Sequence, residues 1–576
     1  MQRNMDFERR LTEAFRQVSD EMLEVRDTQH EWIPLTDSEI ELLETNGNSS
    51  GNWSGVRVFR NAELESVRNT VFRGDVRIAM TPLVIEGNRF DPVLSNCCLE
   101  NATILPGCRI ESANLISNLH IGEGTVIENC GRIICEQGSM CGCGTGLELG
   151  VETGERNVPS SPCIDTDLAA VLSGGSDRRE NLTLYRTFLD GFLSQLRSKK
   201  SGIIGKSCRI QDTPVVKNCF IGSGVQILNA CAVRDSTILG GTLNPVSVLD
   251  GALVRGSILK WGSRVDSMAI VEESVVGEAS VVEKHGKLTS SFLGPNSVLA
   301  EGEITASLAG PFTSSHHQSL LIAARWPEGR GNIGYGANVG SNHTSRLPDQ
   351  EIRPGEGMFF GLSCSVKFPA DYSLAPYSII ATGITALPQR VEFPFSLICE
   401  PFSSIDGIPP AFNQIIPGWV LSDNLFAVNR NDEKYSSRNR AVHWKPDGKI
   451  IREEIVEMMM SALERLDVLS VKEIYTESDI SGLGKNYLTE AHRRRAIETY
   501  RFHIRFFFLG CLSSNPEQLS DFQRNYLERE FPGVSGEELR RIVSDMQDVI
   551  AESIRISREK DYKRGCRTFG DYADVR

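Results

Sequence analysis

Short aliphatic runs recur through the middle of the chain at a nearly constant spacing. After residue 202 they are headed by aliphatic–glycine pairs, namely Ile204-Gly205, Ile221-Gly222, Leu239-Gly240, Val276-Gly277 and Leu293-Gly294, with a less regular head at Leu259. The steps between successive heads are 17, 18, 20, 17 and 17 residues. A period near eighteen, made of three sides of about six residues, predicts a parallel β-helix of triangular section, because each side forms a short strand that stacks on the same side of the next coil.

The repeat begins before residue 202 and is interrupted once. Short β-branched runs appear from about residue 76, and residues 121–127, IGEGTVI, have the hexapeptide form. Residues 144–203 break the pattern with a loop-like stretch, after which Leu182, Tyr185, Leu189, Phe192 and Leu196 lie at the spacing of one helical face. We therefore predict an insertion, made of a loop and a helix, that leaves and re-enters the solenoid.

Helical spacing marks both ends of the chain. Phe7, Leu11, Phe15 and Val18 indicate one amphipathic helix, and residues 36–39, TDSE, form a capping box that predicts the start of a second. Helical patterns return at about 450–470, 489–511, 516–530 and 536–560. We expect these helices to pack against the scaffold or to support assembly.

These patterns predict a mainly β protein with helical additions, divided into six regions. The regions are an N-terminal helical cap region at 1–75, first β-helix coils at 76–143, a loop and helical insertion at 144–203, a main β-helix with the candidate site at 204–405, a linker at 406–449 and a C-terminal helical region at 450–576.

Charge and hydropathy narrow the possible partners and location. The 75 acidic residues exceed the 61 basic residues and give a net charge of −14, which disfavours a nucleic-acid partner since no basic stripe is evident. The first ten residues are charged and carry no apolar core of a secretory signal, and no apolar run of about twenty residues predicts a membrane span. We expect a cytoplasmic protein.

The fifteen cysteines predict reduced thiols, because their number is odd and no export signal is evident. Cys208, Cys219 and Cys231 occupy positions where the repeat requires a small buried residue. The close pair Cys141 and Cys143 favours a tight corner over metal binding, because zinc sites usually need two spaced pairs.

Residues 307–346 hold the candidate chemistry of the solenoid, with histidines at His316, His317 and His343. Continuing the hexapeptide spacing from Ala309-Gly310 makes Ala309, Thr313 and Ser315 point inward. His316 is then expected to face outward and His317 to occupy the following corner.

The spacing of 27 residues between His316 and His343 exceeds one coil by about nine. Residues 325–331, RWPEGRG, are suited by their proline and glycine content to form a looped-out segment, which predicts that the two histidine-bearing stretches stack on neighbouring coils. Restarting the spacing at Ile333 makes His343 point inward, so its role is open between functional and structural.

The hexapeptide pattern resembles that of left-handed β-helix proteins, which are mostly acyltransferases that act on sugars and nucleotide sugars. The order of LTDSEIELLE, VETGERNVP, AGPFTSSHHQSLLIA and the later SNH is similar to that of an uncharacterised bacterial family of such proteins, over about residues 35–510. The resemblance implies a left-handed parallel β-helix. It also implies a scaffold similar to acyltransferases of the UDP-sugar type, and an assembly into homotrimers with sites between subunits.

The resemblance implies a histidine general base that deprotonates a hydroxyl or amine as it attacks an acyl thioester. His316 or His317 would be that base, because an imidazole titrates near neutral pH. Asn342 and His343 would contact the substrate. Backbone N–H groups near Gly310 or Gly340 would face the oxyanion.

The same resemblance suggests how donor and acceptor are held. Glu152 and Arg156, in the loop of the insertion, are expected to contact the substrate. Arg325, Arg330 and Arg346 are expected to meet the phosphates of an acyl-CoA donor or a nucleotide. Acyl-carrier protein is the other expected donor, and no metal is expected.

Two other classes of function stay open. His316, His317 and His343 could hold zinc across a trimer interface, in a protein similar to β-helical carbonic anhydrases, although the spacing differs from that family and adjacent histidines rarely bind one ion. The protein could also be a non-catalytic solenoid that binds a ligand or organises partners.

Overall fold

Strands that lie about 17 residues apart in the sequence lie side by side in the structure. Ile204 is paired with Ile221 and Ile221 with Ile238 in parallel register, so equivalent aliphatic residues stack in a column. The computed structural model is a parallel β-solenoid of about 19 turns with N-terminal and C-terminal helices. The predicted fold class, a left-handed β-helix with helical additions, is confirmed.

The structure describes residues 2–23, 31–85, 87–340, 351–402, 404–446, 448–468, 470–514, 519–532 and 536–575. The chain forms two compact units. The first comprises Met1–Pro327 and Arg440–Trp444, and the second comprises Glu328–Asn439 and Lys445–Arg576. No helix in the described ranges is both long and apolar enough to cross a membrane.

Three columns of strands build the regular part of the first unit. The first column contains Gly202–Ile204, Phe220–Ile221, Thr237–Ile238, Ile258–Leu259, Val275–Val276, Phe292–Leu293, Leu308–Ala309 and Arg325–Trp326. The second contains Arg209–Gln211, Gln226–Leu228, Ser247–Leu249, Arg264–Val265, Val281–Glu283, Val298–Ala300 and Ser314–His316. The third contains Val215–Lys217, Ala232–Arg234, Leu253–Arg255, Ile270–Glu272, Lys287–Thr289, Glu303–Thr305 and Leu320–Ile322.

Earlier strands of the first unit carry the solenoid towards the N-terminus. They are Trp32–Pro34, Ser49–Ser50, Val56–Phe59, Val67–Arg68, Val71–Arg73, Val76–Ile78, Leu83–Ile85, Asn88–Phe90, Val93–Ser95, Cys98–Ile104, Arg109–Ile121 and Val126–Ile134. The insertion contributes an antiparallel hairpin of Gly146–Glu148 and Asn157–Pro159. Parallel pairing already joins Val71–Arg73 to Cys98–Ile104, so strands extend into the region predicted as a helical cap.

The second unit contains the remaining strands. They are Asn332–Ile333, Asn338–Val339, Ile352–Arg353, Phe359–Phe360, Ser365–Val366, Ala370–Asp371, Ile379–Ile380, Thr385–Ala386, Gln389–Arg390, Leu397–Cys399, Asn413–Ile416, Ile474–Tyr475 and Asn486–Thr489.

Helices occur at both ends, in the insertion, and in the stretch predicted as a linker. They are α1 (Gln2–Met22), α2 (Asp37–Thr45), α3 (Thr166–Ser173), α4 (Arg178–Ser198), α5 (Trp419–Asp423), α6 (Leu425–Ser437), α7 (Glu453–Leu466), α8 (Glu490–Ser514), α9 (Asp521–Glu530), α10 (Gly536–Thr568) and α11 (Tyr572–Val575). The stretch 406–449, interpreted from the sequence as a linker, contains α5 and α6, which bury Val420, Leu421 and Leu425.

Most strands of the first column are apolar on both faces. Its outward side chains, such as Phe220 and Phe292, are buried against α1 and the insertion helices, where they meet Phe15 and Tyr185. In the second and third columns most middle residues are buried and most flanking residues are partly exposed, as in Gln226–Leu228. The insertion therefore covers the side of the solenoid formed by the first column.

The structure differs from the sequence-based expectation at two positions of the repeat. The head at Leu239 is one residue late, since Ile238 pairs with Ile221 and with Leu259, and the extra residues of that coil follow Leu239 as a turn with Leu243 exposed. All fifteen cysteines are free, but Cys231 is exposed because Ala230 takes the buried position beside it.

Candidate functional site

The predicted histidine pair lies at the end of a second-column strand of the first unit. Ser315 is fully buried, so His316 beside it faces outward and is half-buried. His317 is exposed and turns the corner with φ of 57°. The two imidazole centroids are 5.2 Å apart. Their catalytic role stays a prediction.

A carboxylate accompanies the second of these imidazoles. Nδ1 of His317 lies 3.0 Å from Oε2 of Glu301 on the preceding coil. The side chains are 64% and 42% exposed, so water screens the contact and leaves it weak. This pair holds its histidine only loosely.

The predicted looped-out segment does not form as expected. Arg325 and Trp326 form a regular strand that pairs with Leu308 and Ala309, and Trp326 is fully buried. The bulky indole fills the interior of the coil, which keeps these residues in the repeat. Gly310, predicted near the oxyanion, donates its N–H to the carbonyl of Trp326 at 2.7 Å.

Two predicted binding arginines contact the last turn of α3. Nη1 of Arg156 donates to the carbonyl of Ser173 at 2.8 Å, and Nη2 of Arg325 donates to the carbonyl of Ala170 at 2.9 Å. Both cations lie at the negative end of the α3 dipole, where the Ala170 carbonyl also accepts the backbone N–H of Gly174 at 3.1 Å. Glu152 lies half-buried in the adjoining hairpin.

The remaining predicted site residues divide between the second unit and residues outside the described ranges. Arg330 is buried and its Nη1 lies 3.0 Å from Oε1 of Glu356. Asn342, His343 and Arg346 lie outside the described residues. The structure therefore brings together only part of the predicted set.

His443, which was not predicted as a site residue, is held much more firmly than His317. Glu278, with a side chain only 5% exposed, accepts hydrogen bonds from the backbone N–H groups of Val442 at 2.7 Å, His443 at 3.0 Å and Trp444 at 3.3 Å. The same carboxylate lies 3.1 Å from Nδ1 of His443, whose ring centroid lies 4.3 Å from that of Trp261 with the two planes tilted by 35°. The segment Arg440–Trp444 is thus anchored to the solenoid of the first unit.

A buried lysine lies close to the same carboxylate. Lys260 donates a hydrogen bond to the backbone carbonyl of Ile164 in the insertion. Burial lowers the pKa of the Lys260 ammonium, and the nearby carboxylates of Asp165 and Glu278 partly offset that effect. The Lys260 ammonium, close to Glu278, is therefore a group whose pKa the fold lowers.

A cavity of about 470 Å³ opens between α1 and the solenoid in the first unit. Its polar lining includes Gln17, Asp20, Glu21, His120, Lys206 and Ser223. Burial raises the pKa of the Glu21 carboxyl, and the nearby imidazole of His443 partly offsets the rise. Glu21 therefore lines a cavity large enough for a small ligand.

This geometry can perform proton transfer. A proton on Nδ1 of His443, donated to the Glu278 carboxylate, leaves the lone pair of Nε2 available to accept another. The side chain of His443 is 48% exposed, and within the described chain no hydrogen bond to its Nε2 is found. The buried carboxylate then stabilises the imidazolium that forms.

The sequence carried little signal for this site. Glu278 and His443 are 165 residues apart, and His443 lies in a stretch without periodicity. The one signal was Lys260, which directly follows the aliphatic residue Leu259. The equivalent positions in the next two coils are glycines, Gly277 and Gly294.

Metal binding finds no support in the part of the chain that the structure covers. Among those residues no group of three or more His, Cys, Asp or Glu side chains is placed to hold an ion. Cys143, in the close cysteine pair, lies 3.6 Å from the Thr237 hydroxyl. The zinc hypothesis also needs His343, which lies outside the described residues.

The hexapeptide coils define the class of the protein as a left-handed β-helix. The chain belongs to the family described as Domain of unknown function (DUF4954), whose model matches residues 32–432. An uncharacterized protein of Treponema pallidum (strain Nichols) is 25% identical over 484 residues, which cover 78% of this chain and 64% of the relative.

Over a shorter stretch, the chain is also similar to proteins named GlmU. The bifunctional protein GlmU of Thermotoga petrophila is 25% identical over 177 residues, which cover 31% of this chain and 34% of GlmU. GlmU of Thermotoga sp. (strain RQ2) matches to the same extent. The chain spans less than two thirds of the length of the curated relatives it matches.

Proposed function

We propose that this protein is an acyltransferase that moves an acyl group from a thioester donor to a hydroxyl or amine of a sugar or nucleotide sugar. The observation that carries the proposal is the imidazole of His443, held at Nδ1 by the buried carboxylate of Glu278. The scaffold and the distant similarity to GlmU, an acyltransferase, support it. Acyl-CoA or acyl-carrier protein is the proposed donor.

In the proposed reaction His443 is the general base. Its Nε2 takes the proton of the acceptor O–H or N–H while the acceptor atom attacks the thioester carbonyl. The carbon–sulfur bond then breaks, the acyl group stays on the acceptor, and the thiolate leaves with the proton that the imidazolium returns. Glu278 stays ionised throughout and stabilises the imidazolium.

Of the site residues predicted from the sequence, the proposal keeps the two histidines as alternatives and omits two arginines. His316 and His317 are kept as alternative bases for the same reaction, with the exposed Glu301 as the carboxylate of His317. Donor-binding roles for Arg325 and Arg330 would require loss of their contacts to Ala170 and Glu356, so these two side chains are left out.

A homotrimer, implied by the resemblance, is part of the proposal. In the first unit α1 and the insertion cover the first column, so contacts between subunits there would use the second or third column. Light scattering coupled to size-exclusion chromatography measures the mass of the particle in solution. A monomer at all protein concentrations would reject the proposed homotrimer.

The test compares His443→Gln with His316→Gln and His317→Gln in the full chain. Release of free thiol is followed with acetyl-CoA, longer acyl-CoA and acyl-carrier protein as donors, each against a panel of sugars and nucleotide sugars. We expect His443→Gln to lower turnover by roughly 10²–10⁴-fold, since that is the usual contribution of a general base, and the other two variants to keep it.

Each other outcome has a definite meaning. Loss of activity only in His316→Gln or His317→Gln would move the base to the predicted pair. Wild-type turnover in all three variants would reject a histidine base. Absence of transfer across the whole panel would favour a non-catalytic solenoid.

A further inference from the structure

The second unit contains a cavity of about 430 Å³ with a strongly basic wall. The wall is one face of α6 and the residue that follows it, where Arg430, Lys434 and Arg438 lie four residues apart and so project from the same side of the helix. The opposite wall is formed by solenoid residues, including Met358 and the half-buried Phe359. The cavity thus combines cationic and apolar surfaces.

Few negative charges are available to neutralise this wall. Glu433 also lines the cavity and contributes one negative charge against the three cations, and its Oε1 accepts a hydrogen bond from Asn429 at 3.0 Å. Asp432 accepts from the backbone N–H of Ile450 at 2.7 Å. Among the residues with described positions, no carboxylate forms an ion pair with the side chain of Arg430, Lys434 or Arg438.

The nearest buried carboxylate is already satisfied. Glu356 accepts hydrogen bonds from Arg330 at 3.0 Å, from Arg452 at 2.6 Å and from the hydroxyl of Tyr377 at 2.6 Å. Arg330 itself lines the cavity and stacks over the ring of Tyr435 at 5.2 Å. Glu356 and Glu454, which also contacts Arg452, therefore offset the charges of Arg330 and Arg452 without the cations of α6.

The three cations of the α6 wall repel one another in this arrangement. Burial and the neighbouring charges of Arg438 and Arg430 lower the pKa of the Lys434 ammonium. The helix dipole favours cations in the last turn of α6, which accounts for Lys434 and Arg438 there but not for Arg430 one turn earlier. A bound anion would remove the repulsion among all three.

We propose that this cavity binds a nucleoside diphosphate group, with its phosphates on Arg430, Lys434 and Arg438 and its base against Phe359. Guanidinium and ammonium groups are the usual protein partners of phosphate oxygens, and the cavity volume lies in the range of small-molecule sites. The group could be a free nucleotide or the ADP portion of coenzyme A. The site involves none of the residues of the proposed acyl transfer and does not depend on that reaction.

The experiment measures binding of ADP, coenzyme A and inorganic pyrophosphate to the full chain by titration calorimetry at low salt. The variants are Lys434→Gln and the double variant Lys434→Gln/Arg438→Gln. The control is Arg541→Gln, an exposed cation on α10 outside the cavity. We expect the single variant to weaken ADP binding at least tenfold, the double variant to weaken it further, and Arg541→Gln to leave it unchanged.

The unliganded melting temperature separates loss of a ligand contact from loss of the fold. It should stay equal or rise in both cavity variants, because like-charge repulsion is removed, while the increase caused by ADP disappears. Tighter binding of coenzyme A than of ADP would identify the coenzyme, and equal or weaker binding would identify a free nucleotide. No binding of ADP or coenzyme A at millimolar concentration, an affinity for inorganic pyrophosphate equal to that for ADP, or unchanged binding in the double variant would overturn the inference.

Discussion

The carboxylate of Glu278 holds the segment around His443 through both its backbone and its imidazole. It accepts three consecutive backbone N–H groups, from residues 442–444, and lies 3.1 Å from Nδ1 of His443. Hydrogen bonds to a charged group contribute more than those between neutral groups. The Glu278 side chain therefore positions the candidate base and anchors the segment, residues 442–444, that carries it.

Replacement Glu278→Ala should release this segment. We expect a loss of about 2–4 kcal/mol in the free energy of unfolding, since hydrogen bonds to charged groups contribute about 1.5–3 kcal/mol each and some rearrange to water. Amide exchange at residues 442–444, followed by mass spectrometry, should speed up at least tenfold. Glu301→Ala, which breaks the exposed contact to His317, is the control and should change stability by under about 1 kcal/mol. Unchanged exchange in Glu278→Ala would contradict the anchoring role.

Glu356 should be among the most sensitive side chains of the second unit. Glu356→Gln leaves the charges of Arg330 and Arg452 without their buried counter-ion, so we expect a loss of about 3–5 kcal/mol in denaturant unfolding. Glu454→Gln is the matched control, because Glu454 also contacts Arg452, at 3.2 Å, but is 68% exposed. The control should shift stability by about 0.5 kcal/mol or less. Equal effects of the two substitutions would argue against a buried charge network.

The same substitution should have opposite effects at two glycines. A Cβ at Gly277 would lie 2.6 Å from the carbonyl oxygen of Leu293 on the next coil, so Gly277→Ala should cost about 1–3 kcal/mol by overpacking. A Cβ at Gly191, inside α4, meets nothing within 4 Å. Gly191→Ala should therefore stabilise by about 0.5–1 kcal/mol through helix propensity. Melting curves of the two variants check the signs, and a stabilising Gly277→Ala would refute the close stacking of coils.

Acid should destabilise the second unit through His503. Burial lowers the pKa of His503 in the folded state to about 4, from 6.5, while a hydrogen bond with the backbone of Leu421 acts in the opposite direction. Between these pH values the unfolded chain binds the proton and the folded chain does not, so stability falls as the pH drops from about 6.5 to about 4. The full loss is about 3 kcal/mol, since each pKa unit corresponds to about 1.4 kcal/mol.

Denaturant unfolding at several pH values measures this slope. His503→Gln should flatten it, and His285→Gln, at an exposed histidine of the first unit, should leave it unchanged. A slope that is the same in His503→Gln and in the wild type would show that other groups cause the acid sensitivity.

Local pattern was enough to predict the architecture. The aliphatic–glycine period predicted parallel coils because each coil repeats the same short-range chemistry, and Ile204, Ile221 and their successors do stack in one column. The capping box before α2 forms as predicted, and the apolar face of α4, including Tyr185 and Phe192, is buried. Both depend on residues close in sequence.

The candidate site was decided by tertiary structure. Glu278 and His443 are 165 residues apart, and no periodicity relates a corner of one coil to a segment far beyond it. Likewise the sequence showed that Arg325 and Arg330 are cations. It did not show that they donate hydrogen bonds to the Ala170 carbonyl and the Glu356 carboxylate. Repeated local chemistry determines a solenoid, whereas the partners of a charged side chain depend on which distant segments the completed fold brings against it.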